Sequence, residues 1–93
     1  MNAFDPDAFI ANSPTDTRPA VRGVWHALHG DWDAAHDAVN TGGTGCDWVH
    51  AALHREEGDL ANADYWYRRA GRRRPGGSHR DEYLAIAAAL LAD

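Results

Sequence analysis

Apolar residues recur along this chain at intervals of three and four, and the runs are interrupted at regular steps by Gly-Asp pairs. Val21, Val24, Trp25 and Leu28 fall on one side of a helix that places Arg22, His26 and His29 on the other. Gly30-Asp31 then stops that helix and starts another, whose stripe is Trp32, Ala35, Ala38 and Val39, with Asp33 and Asp37 outside. So short a connection predicts an antiparallel hairpin. After the loop Thr41-Gly-Gly-Thr-Gly45, a third long helix opens at Thr44 or Gly45 and turns Trp48, Val49, Ala52 and Leu53 inward. Gly58-Asp59 repeats the stop–start step, and Leu60, Ala63, Tyr67 and Ala70 make the next stripe, closed by Pro75-Gly-Gly.

The two ends follow the same logic. Asp5-Pro6 is a cap followed by proline at the first helical position, so Phe4, Phe9 and Ile10 belong to a short leading helix. Residues 11–17 read as a loop, after which Asp16 or Thr17 is expected to cap the helix that begins near Pro19. Ser78 with Asp81 forms a capping-box pattern ahead of Tyr83, Leu84, Ala87, Leu90 and Leu91. No stretch alternates with a period of two. The pattern predicts an all-α chain, a single domain over 1–93: a leading helix and loop (1–17), two hairpins (18–75) and a C-terminal helix (76–93) that caps a compact bundle of about five helices.

The segment Gly58-Asp59-Leu60-x-x-Ala63-x-x-x-Tyr67-x-x-Ala70 followed by Pro75 resembles the second half of a tetratricopeptide repeat, with Gly30-Asp31-Trp32-x-x-Ala35-x-x-x-Val39 as a weaker copy. The resemblance covers about two units, residues 21–75, and implies closely paired helical hairpins. Two features depart from it. The Gly-Asp steps stand 28 residues apart against about 34 in that repeat, and Arg55 occupies the place of its tyrosine. A second stretch, His50-x-x-x-His54-Arg55 with Asn62-Ala63-x-Tyr65-Trp66-Tyr67-x-Arg69, resembles a run in a family of small uncharacterised microbial proteins. That resemblance implies a shared fold and site and no particular reaction.

Composition adds a helical bias and a charge asymmetry. Alanine is abundant, valine and isoleucine are few, and all nine basic residues are arginine. The net charge of −5 divides into −8 over residues 1–67 (three Arg, eleven acids) and +3 over residues 68–93 (six Arg, three acids). Arg68, Arg69, Arg72, Arg73 and Arg74 supply most of the basic end, but helical spacing spreads them around the cylinder. Arg69 and Arg73 share a side with Asn62 and Tyr65, and the spread of the five argues against a flat nucleic-acid face. The lone cysteine, Cys46, has no internal disulfide partner and reads as a packed side chain at a helix start. No apolar run reaches the roughly 20 residues of a membrane span, and no signal pattern opens the chain, so a cytoplasmic location is expected.

Candidate chemistry centres on the six histidines. His50 and His54 lie one helical turn apart with Glu57 nearby, donors that suit a divalent transition metal, although the intervening residues lack the catalytic glutamate of the zinc-protease motif. No phosphate loop or nucleophile elbow is present, which leans the reading away from an enzyme. Trp25, Trp32 and Trp48 sit on packing stripes. Trp66 and Tyr65 do not, and cover by the C-terminal helix is the simplest account of Trp66. The residues that packing leaves over define the expected site: a partner-binding groove of His50, His54, Asn62, Tyr65, Trp66 and Arg69 that takes a protein, a peptide or a second copy of the chain, with no cofactor. The alternative is a His50, His54, Glu57 metal or small-molecule site with hydrolase-like chemistry.

Overall fold

The structure, a computed structural model, describes residues 4–92. It is all-helical, with six helices among the described residues: α1 (Pro6–Ala11), α2 (Pro19–Leu28), α3 (Trp32–Val39), α4 (Cys46–Glu57), α5 (Leu60–Arg69) and α6 (His79–Leu91). The short leading helix and five longer ones match the expected order. The α2–α3 and α4–α5 hairpins are the two closest pairings, and α6 packs across α2 and α4.

Caps set the boundaries. Asp5, Asp31, Asp59 and Ser78 each accept hydrogen bonds from backbone N–H groups of the first turn that follows, which satisfies donors a helix otherwise leaves open. Two expected boundaries move. Asp16 does not cap α2: it accepts from the Arg18 backbone N–H at 2.9 Å and grips the Arg18 guanidinium, leaving Arg18 itself as an N-cap without a side-chain bond. The fourth long helix ends at Arg69, short of Pro75. Gly71, at φ +72, turns the chain back so that its N–H reaches the Arg68 carbonyl and the Arg72 N–H reaches that of Tyr67. Arg73 therefore lies in the following loop and does not share a helix face with Arg69.

The core collects the stripes. Val24, Val39, Val49, Leu53, Tyr83 and Ile86 are almost fully buried, with alanines from α2, α3, α4 and α6 between them. A smaller cluster of Ala51, Ala63 and Tyr67 joins α4 to α5. Close approach depends on Gly23, where a Cβ would stand 2.5 Å from Val39 Cγ1. Cys46 is the first residue of α4, buried, its thiol donating to the Gly42 carbonyl. Burial first, and the Asp47 carboxylate second, push that thiol up from its ordinary value, so it is not a ready nucleophile.

Helix α4 is the hub, touched by α2, α3, α5 and α6. A helix surrounded in this way buries polar side chains along with apolar ones. On one side Arg55, its side chain 10 % exposed, donates to Glu82 Oε1 at 3.0 Å and to the Gly77 carbonyl at 2.6 Å. Glu82 Oε2 accepts from the Tyr67 hydroxyl. Arg55 thus ties α4, α5, α6 and the loop before α6 together. On another side of α4 lie His50 and His54.

Candidate functional site

His50 and His54, four apart on α4, point the same way, toward α3 and α5. They are 6 % and 7 % exposed, unusual burial for histidine. Opposite them α3 presents His36. The three imidazole rings form a near-triangle with centroids 4.7 Å (His36–His50), 5.5 Å (His36–His54) and 4.9 Å (His50–His54) apart. One ring nitrogen from each lies within 4.8 Å of the others.

Two tryptophans wall the triangle. Trp32 stacks on His36 at 4.9 Å with the rings 9° from parallel, and its indole N–H donates to the Leu53 carbonyl at 2.8 Å, which fixes its orientation. Trp66 stacks on His50 at 3.9 Å and 10°, with the Arg69 guanidinium 5.1 Å from its ring. The cover of Trp66 is therefore His50 and Arg69 rather than α6, because α5 lies against α4 and its ring reaches that hub before it could reach the last helix. The tryptophans cover one face each of His36 and His50, while His50 and His54 lie 29° from parallel and His36 meets both at a steep angle.

His54 is held by two further contacts. Its Nδ1 lies 2.5 Å from Glu57 Oε1 and its Nε2 lies 3.4 Å from Asn62 Nδ2. A carboxylate at Nδ1 selects the tautomer that carries its proton there and leaves the lone pair on Nε2. Asn62 reaches this point because Asp59 caps α5 and accepts from the Asn62 backbone N–H. Among the described residues neither His36 nor His50 makes a side-chain hydrogen bond.

The electrostatics agree with the packing. Burial, followed by repulsion from His36 and His54, lowers the His50 imidazole to about 4, only partly offset by Asp47. At neutral pH it is uncharged, with a nitrogen lone pair free to be donated. A tetrahedral ion with bonds of about 2.1 Å needs its donor nitrogens roughly 3.4 Å apart. The three nitrogens lie within 4.8 Å of one another, at most about 1.4 Å beyond that spacing. An acidic pair, Glu57 and Asp59, forms a second group with His54 on the solvent side.

The residues expected to form one groove thus divide. His50, His54 and Trp66 enter the cluster, Asn62 sits at its edge, and Tyr65 (47 % exposed) and Arg69 stand outside. Glu57 meets His54 instead of standing as the third donor beside His50 and His54, and His36 takes that third position. His36 was overlooked in the sequence, yet it lies four residues after Trp32 and three before Val39, on the border of the α3 stripe. His26 and His29 serve elsewhere. His29 bridges the Trp25 and Ile10 carbonyls, and His26 lies edge-on to Trp25, so both belong to the joint between α1 and α2. No family model, curated protein or solved structure matches this chain.

Proposed function

We propose that the chain binds one divalent transition-metal ion through His36, His50 and His54, with Glu57 orienting His54. One observation carries the reading: three imidazoles, two of them buried, bring a ring nitrogen each within 4.8 Å of the others, and among the described residues His36 and His50 make no side-chain hydrogen bond. Among the described residues no buried side-chain nitrogen lacks a hydrogen-bond partner, so the free nitrogens of His36 and His50 keep contact with solvent and stand open to an incoming cation. Three neutral nitrogen donors suit zinc, copper or nickel and are poor ligands for magnesium or calcium, which take oxygen. The thiol is elsewhere, in the α4 start. A three-histidine set leaves a fourth position for water or an outside ligand, the arrangement of catalytic zinc sites, whereas structural sites are closed by four protein donors.

The test uses the full chain made without a polyhistidine tag. Zinc titration by calorimetry is expected to show one ion per chain, lost in His36→Ala and in His50→Ala but kept in the His26→Ala, His29→Ala double variant. Absence of stoichiometric binding, or binding that survives His36→Ala, would overturn the proposal.

A peptide contact is the second reading, favoured by Tyr65, exposed beside Arg69 whose guanidinium lies 5.9 Å from its ring. An aromatic next to an arginine suits a carboxylate-bearing peptide segment. Loss of an acidic peptide ligand on Tyr65→Ala with zinc binding intact would support it, and binding of such a peptide that ignores Tyr65 would dispose of it.

A further inference from the structure

We infer that the loop between α5 and α6 is a binding site for a small oligophosphate, separate from the histidine cluster. Five arginines occur in the seven positions 68–74, and the structure gives them unequal employment. Arg69 pairs with Asp47 and Arg74 with Asp64, at 3.5 and 3.0 Å. Among the described residues Arg68, Arg72 and Arg73 have no carboxylate partner. The hydrogen-bonding part of an arginine's usual role at a helix C-terminus is already filled, because the Ala70, Gly71 and Arg72 backbone N–H groups bond the carbonyls of Trp66, Arg68 and Tyr67.

These free cations border a concavity of about 480 Å³ that Tyr67 and Gly76 also line, together with the Asp64 carboxylate, which Arg74 pairs and neutralises. That size is within the range of small-molecule sites, about 300–1,000 Å³. Two features hold the cradle in shape before any ligand arrives. Arg72 sits over the Trp48 indole, its guanidinium carbon 3.3 Å from the ring centre, a contact that restrains the group and makes no use of its N–H donors. At the far end Arg55 grips the Gly77 carbonyl and is itself anchored by buried Glu82. A loop pinned at both ends loses little entropy on binding.

The chemistry of the walls selects the ligand. Three guanidinium groups with little apolar lining fit a compact, multiply charged oxyanion, which arginine binds through paired N–H···O bonds. The phosphate chain of a nucleotide and free inorganic oligophosphate share that chemistry. A long nucleic-acid strand fits less well, since the chain outside this end is strongly acidic, −8 over residues 1–67.

The experiment is calorimetric titration of the whole chain with sodium tripolyphosphate and, in parallel, ATP without magnesium, in low salt. One tripolyphosphate per chain is expected. Affinity should fall about tenfold or more in Arg68→Gln, Arg73→Gln, with the circular dichroism spectrum unchanged. The Arg22→Gln, Arg80→Gln double variant removes the same net charge from other surfaces and should bind as the parent does. Equal binding of ATP assigns recognition to the phosphate chain alone, and tighter binding of ATP adds a contact to the nucleoside; both support the site. No saturable binding, an equal loss in the control variant, or binding of a single-stranded oligonucleotide but not tripolyphosphate would overturn it.

Discussion

Helix α4 buries two polar clusters on different sides, and they are built on opposite principles. Around Arg55 every charge has its partner: the guanidinium meets Glu82 and the Gly77 carbonyl, and the second Glu82 oxygen takes the Tyr67 hydroxyl. Around His50 the rings meet one another, and only His54 has hydrogen bonds. A satisfied buried network contributes definition to a fold, because removing any member strands the others. A cluster that lacks partners contributes little to stability. Its worth, if retained, is in what it is ready to hold.

Truncation tests this contrast most strongly. Glu82→Ala leaves the buried Arg55 charge alone and should cost about 3–5 kcal/mol, a large part of the roughly 5–15 kcal/mol that holds a domain together. His50→Leu removes a buried imidazole without a hydrogen-bond partner and should change stability at pH 7 by less than about 1 kcal/mol, while abolishing the zinc isotherm. Urea melts of both variants in chelator make the comparison. Equal destabilisation by the two would mean that the histidine cluster is as structural as the arginine network.

Acid should separate the clusters next. The His50 imidazole is lowered to about 4 in the fold from an ordinary 6.5. Between those values the unfolded chain binds the proton and the folded chain does not, so stability rises with pH there. The contribution is complete above about 6.5 and is lost as the pH falls toward 4, on the order of 2–3 kcal/mol for the metal-free protein. In His50→Leu this part of the pH dependence should vanish. A parent melting profile that is flat from pH 7 to 4.5 would count against burial of a neutral imidazole.

How much of this was legible in the sequence differs for the two clusters in the same way. Helix order, the Gly-Asp steps and the core stripes follow from periodicity and cap chemistry, which are local. The His50–His54 spacing is local too, and was visible. His36 was not, because its meeting with them depends on how the two hairpins dock, and nothing within α3 alone encodes that. The Arg55–Glu82 pair spans 27 residues, and an arginine on a surface-like run gives no sign of being buried. The helix end at Arg69 was missed for a different reason: Pro75 is the louder stop signal, but Gly71 acts first by supplying a left-handed turn. Asp16 was misread as a cap since its arginine neighbour offers a charge-assisted bond that a bare helix N-terminus cannot match.

The finest division lies within the histidine cluster itself, between a donor and the residue that aims it. Glu57 is 39 % exposed at its side chain yet bonds the Nδ1 of a nearly buried ring. If it orients His54, Glu57→Gln should weaken zinc binding by about 10- to 100-fold, or roughly 1.4–2.7 kcal/mol, and leave the one-to-one stoichiometry unchanged. An amide can still accept from Nδ1, so the ring stays in place, but the negative charge that raises the basicity of Nε2 is gone. If Glu57 were instead a ligand beside Asp59 on the solvent side, His36→Ala would keep the ion and Glu57→Gln would lose it. The pair of variants, titrated under one set of conditions, places the ion on one side of His54 or the other, since that ring is the one donor the two arrangements share.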